Sequence, residues 1–173
     1  MESLPLHPAL VHIPLGVALI MPLVAAFLAW RLVKGAPRAV WALVVVLQVV
    51  LVAGGFAAMR TGEDDEEKVE EVVGDDLIHE HEEAAELFVW TGVGTLVATV
   101  VPLFAPPATA LLAVLLSLAV AGLGLRAGHL GGELVYEHGA ASAHLPRGKP
   151  GVAPAVPGLP QGLDDDDGDT DER

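Results

Sequence analysis

Residues 39–59 read AVWALVVVLQVVLVAGGFAAM, a run without a formal charge and with a single amide, Gln48. It is long enough to cross hydrocarbon as a helix, which takes about 20 largely apolar residues. Three other runs have the same character, at about 9–30, 84–104 and 108–128. Helices are required, because unpaired backbone groups are too costly in lipid and four strands cannot close a barrel. The expected fold is all-α, a four-transmembrane-helix bundle running up-down-up-down.

The 173 residues are 53% hydrophobic, with mean hydropathy +0.54, yet carry a formal charge of −14. Both facts hold because the acid is segregated: thirteen acidic residues stand against one lysine in 63–86, and most of the rest lie in 164–172. The segment 63–83 reads as an acidic extracytoplasmic loop, a short surface helix at best, with Gly62 as the C-cap of span two. Ala105-Pro106-Pro107 is too short for anything but an antiparallel hairpin between spans three and four. Residues 145–173 read as a Pro/Gly-rich linker and a disordered acidic tail. No nucleic-acid partner is expected.

Arg31, Lys34 and Arg38 make the first connection basic, and the positive-inside rule then puts it in the cytoplasm, with both termini outside. Met1 to Pro8 lacks the basic region and cleavage site of a removable signal peptide, so the first span is expected to be retained. The chain has no cysteine, which leaves histidine, carboxylate and methionine as candidate ligands.

The alternating topology gathers all seven histidines at one membrane face. On span three, His81 shares a helical face with Ala85, Phe88 and Gly92, whereas His79 shares one with Glu82, Glu83 and Glu86. His81 is expected to face inward and His79 the acidic surface. On span four, Arg126, His129, Glu133 and Tyr136 form a polar stripe expected to face the interior or a water-filled cavity. His12 lies within the first apolar run, one turn from Gly16. The sequence Gly128-His129-Leu130-Gly131-Gly132 is glycine-rich for a helix, which suggests a close approach by a backbone or ligand.

His7-Pro8-Ala9-Leu10-Val11-His12-Ile13-Pro14 resembles the opening HPxxVHFP motif of a bacterial family of four-span membrane proteins of unknown function. Residues 131–139, GGELVYEHG, resemble its closing GGxLVYxHG motif. Ile13 departs from the usual phenylalanine. The resemblance covers about 4–140 and implies a bacterial plasma-membrane domain. Relatives joined to Rieske-type and c-type cytochrome modules imply redox work. It makes His7, His12 and His138 motif residues, and His129 matches a GHLGG found in cytochrome-linked members.

The leading expectation is a membrane b-type haem protein for electron transfer, with one or two haems. His7, His12, His81, His129 and His138 are the candidate axial ligands, Gly16, Gly92 and Gly122 give the ring space, and Arg60 or Arg126 pairs with propionates. The alternative is zinc or copper held by the same five histidines, which accounts better for the acidic loop. A third reading is a membrane anchor or assembly subunit without cofactor. Substituting His12 or His81 is expected to remove or alter the bound species, and substituting His144 to leave it. Partners expected with haem are a basic soluble electron carrier or a membrane redox complex; an oligomer is compatible. Hydrolysis is not expected, since no serine lies in a nucleophile motif and His79-Glu80-His81 has the wrong spacing for HExxH.

Overall fold

The computed structural model describes residues 6–144, and the expected tail at 145–173 lies outside them. The helices are α1 (His7–Leu10), α2 (His12–Val33), α3 (Ala42–Val73), α4 (Asp75–Val100) and α5 (Ala110–Tyr136), with short 3-10 turns at Arg38–Trp41, Val101–Leu103, Pro107–Thr109 and Ala140–His144. With their flanking turns they make four helical segments long and apolar enough to cross a membrane: His7–Val33, Arg38–Val73, Asp75–Leu103 and Pro107–Tyr136. Each long helix packs on two others, α2 and α4 both on α3 and α5, so the four close a ring. The chain is a four-helix membrane bundle. Outward-facing Leu23, Phe27, Val97, Leu111, Leu118 and Leu125 are exposed, as lipid-facing residues are.

On α3 and along the apolar stretch of α5 the inward residues follow a strict alternation of three and four. On α3 they are Val44, Gln48, Leu51, Gly55 and Ala58; on α5 they are Ala110, Ala113, Ser117, Val120, Gly124 and Ala127. That 3.5-residue period is the seam of left-handed helix bundles. Most of these side chains are small, because lipid-embedded helices gain contact by close backbone approach rather than by hydrophobic burial. At Gly55 an added Cβ would stand 2.8 Å from Val89 Cγ2, and at Gly92 3.1 Å from Leu51 Cδ2. Gly92 therefore serves helix packing and not the space for a ligand.

Two expectations are corrected. The acidic segment is not a loop: α3 continues without a break to Val73 and α4 begins at Asp75, so both helices project beyond their apolar stretches as acidic arms. Glutamate is a good helix former, and Val69 and Ile78 give the arms inward apolar contacts. Gly62 is correspondingly not a C-cap. The turn is made at Gly74, whose φ of +91° is a backbone state that favours glycine. At the start of the first span, Pro14 lacks the N–H that would bond residue 10, and the helix is interrupted at Val11.

Gly55→Val places a branched side chain against Val89 and should cost about 1–3 kcal/mol. Thermal unfolding in detergent reads the loss, and adding Val89→Ala should recover part of it; an unchanged midpoint in the single variant would show that this seam is loose.

A histidine-lined cavity at the acidic end of the bundle

Where the seam runs past the apolar stretches into the acidic arms it widens into a cavity of about 750 Å³. His7 and His81 line it, together with His144 from the turn at Ala140–His144. Met59, Val69, Ile78, Ala85 and Leu134 supply apolar wall, while Glu63, Asp65, Glu66, Glu82 and Glu86 border it. This volume falls in the range of small-molecule and cofactor sites.

The His7 and His81 rings lie 6.2 Å apart between centres and nearly perpendicular, at 89°. Each is held in the same way. His7 Nδ1 donates to the Ala58 carbonyl at 2.7 Å and His81 Nδ1 to the Ala127 carbonyl at 3.1 Å. A carbonyl only accepts, so Nδ1 carries the proton in both rings and Nε2 is left as a lone-pair donor. Neither Nε2 has a hydrogen-bond partner among the described residues.

A glycine one helical turn beyond each accepting carbonyl makes this approach sterically possible. A Cβ on Gly62 would be 3.2 Å from His7 Nδ1, and one on Gly131 would be 3.0 Å from His81 Cε1. Ala58-x3-Gly62 on α3 and Ala127-x3-Gly131 on α5 are thus equivalent notches, each admitting an imidazole from another helix. The small-x3-small spacing was readable in the sequence. What the sequence did not reveal was that the guest is a ring.

His81 and Glu82 lie on the arm of α4, before its apolar stretch. Burial, and secondarily the neighbouring His7, push His81 below the ordinary histidine value, against the opposing pull of the Ala127 carbonyl. This favours the neutral ring, the form that binds a metal. Glu82 is pushed up by burial first and then by Glu66, with His79 acting in the opposite direction.

The other candidates fall elsewhere. His12 is exposed on α2, and Gly16 and Gly122 are exposed with open space around them. His129 faces outward, with its Nε2 3.3 Å from Glu133. Arg126 lies 3.8 Å from Glu80, and Arg60 and His138 are exposed. The expected inward stripe on α5 is therefore corrected: its long polar side chains point out, because the seam at this level admits only Ala127, Gly131 and Leu134. Neither arginine lines the cavity, whereas His144, expected to be dispensable, does. Its place in a glycine- and alanine-rich stretch carried no signal. His79 faces the acidic surface as expected, 3.4 Å from Glu83. Among the described residues no three His, Asp or Glu side chains converge as ligands to one ion. Comparison with family models, with curated proteins and with solved structures returns no match to this chain.

Gly131→Ala should push the His81 ring off its carbonyl. Nitrogen NMR of the labelled rings should show His81 losing its fixed Nδ1–H tautomer while His7 keeps its own; an unchanged His81 signal would show that the notch is not needed.

Proposed function

We propose that the cavity binds a b-type haem through His7 and His81 and that the protein carries electrons at this membrane face. The observation that supports this most is the pair of imidazoles on separate helices, each with Nδ1 tied to a backbone carbonyl and Nε2 free. Such anchoring is the usual outer-shell support of a metal-bound histidine. The 6.2 Å between ring centres accommodates one metal ion bonded to a nitrogen of each ring at about 2 Å. The apolar wall and the volume suit a flat organic cofactor and exceed what a bare ion needs. Haem iron, when bound, gives and accepts single electrons. The chain's own residues position the two imidazoles, favour the neutral form of His81 and supply apolar wall around the site. His144 adds to the lining from the turn Ala140–His144, which packs on α3 and α5.

A zinc or copper ion is the second reading. It is favoured by the five bordering carboxylates, which attract a cation, and by the lack of an arginine among the described lining residues, since haem propionates gain from such a cationic partner. The redox character implied by the family resemblance supports haem.

The basic connection at the opposite end supports a bacterial plasma-membrane protein whose cavity and termini face outward. The acidic arms flank the cavity, and complementary charge would speed the encounter with a basic soluble carrier. A membrane redox complex is the other partner compatible with this placement.

Protein purified in detergent should show a Soret band that shifts on dithionite reduction. His7→Ala and His81→Ala should each remove or alter it, while His12→Ala and His129→Ala should not. A colourless preparation with stoichiometric zinc or copper would overturn haem in favour of the ion, and neither signal would leave the anchor reading.

Reduction by a basic carrier should slow as salt rises from low ionic strength to 1 M, where the Debye length shrinks to about 3 Å. A rate indifferent to salt would remove the acidic arms from docking.

A further inference from the structure

At the opposite end of the bundle, the outer face of α4 carries a second concavity of about 560 Å³. Its walls are Leu96, Val97, Val100, Val101, Phe104 and Ala105. All are apolar, and Val97, Val100, Val101 and Phe104 are exposed. The groove runs from the last turn of α4 over the turn that follows it and opens outward, where the bilayer lies. Its end at Val101 belongs to a turn on which the basic first connection packs. The turn Arg38–Trp41 packs on the turn Val101–Leu103, and Arg38 opens the first of these turns. Arg31 and Lys34 stand in the same short connection. All three are exposed, and none forms an ion pair among the described residues.

An apolar groove running down from the membrane surface, with unpaired cations at its head, matches a molecule with a hydrocarbon chain and an anionic head. We propose that it is a site for one anionic phospholipid, an acyl chain lying along Val97 and Phe104 and the phosphate met by Arg38, with Arg31 and Lys34 adding to the field. The guanidinium fork suits a phosphate bidentately, and basic sites at helix ends are a recurrent means of holding anionic lipid. The site shares no residue with the histidine cavity and stands independently of the haem reading.

The test uses the full-length chain in a nonionic detergent with phosphatidylglycerol or phosphatidylcholine of identical chains. Phosphatidylglycerol should raise the unfolding midpoint and remain bound at one per chain in native mass spectrometry, while phosphatidylcholine should do neither. Arg38→Gln should weaken retention by roughly fivefold, the effect of one cation near a membrane surface. Val97→Trp should displace the acyl chain from a lipid-facing position, with circular dichroism confirming the fold. Equal retention of both lipids overturns the proposal, as does unchanged phosphatidylglycerol binding after Arg31→Gln, Lys34→Gln and Arg38→Gln are combined. Stabilisation by inorganic phosphate alone would overturn the role of the groove.

Discussion

Among the described residues, four side chains carry an N–H from one helix to a backbone carbonyl of another: His7 to Ala58, Trp41 to Thr99, Gln48 to Gly92 and His81 to Ala127. They link α1 to α3, the turn Arg38–Trp41 to α4, α3 to α4, and α4 to α5. Interhelical hydrogen bonds in membrane proteins average only about 0.6 kcal/mol each, so their importance lies in register more than in strength. Sliding a helix by one turn would leave each donor in an apolar interior without its acceptor. Gln48 is fully buried, its Nε2 is satisfied only by Gly92, and its Oε1 has no partner among the described residues. A single polar residue at such a seam position specifies alignment at a cost in stability.

Three of these bonds end on small residues of the seam, Ala58, Gly92 and Ala127, because a helix carbonyl is most easily reached by a side chain on another helix where the two backbones come close. In the membrane stretch this produces a tight interior. Beyond it, the same three-and-four alternation brings Gly62, His81 and Gly131 inward, and the bundle opens around rings instead of closing on methyl groups. The cavity is thus the continuation of the packing rule with polar residues substituted into it. The carboxylates of the acidic arms border it.

Much of this was legible from residue order. Four apolar runs gave four spanning helices, and the i, i+4 and i+7 positions gave the inward face of His81 and the outward face of His79. Periodicity failed for the stripe on α5, because Arg126, His129 and Glu133 share a helical face without that face being the interior one. Choosing between faces requires the neighbouring helix, and α5 turns its small residues to α2 and α4 because only those allow contact. Likewise Gly62 carried the marks of a helix end, yet it lies mid-helix against an imidazole, and the turn falls twelve residues later at Gly74.

Hydropathy and length alone determined that this chain forms a helical membrane bundle with its histidines at one polar end, because the cost of exposing backbone groups to lipid admits few other structures. Which histidines meet was decided only by the tertiary structure. Ring placement depends on rotation about each helix axis and on a vacant notch in the opposing backbone. Both are properties of pairs of helices, and neither is encoded in the order of residues along one of them.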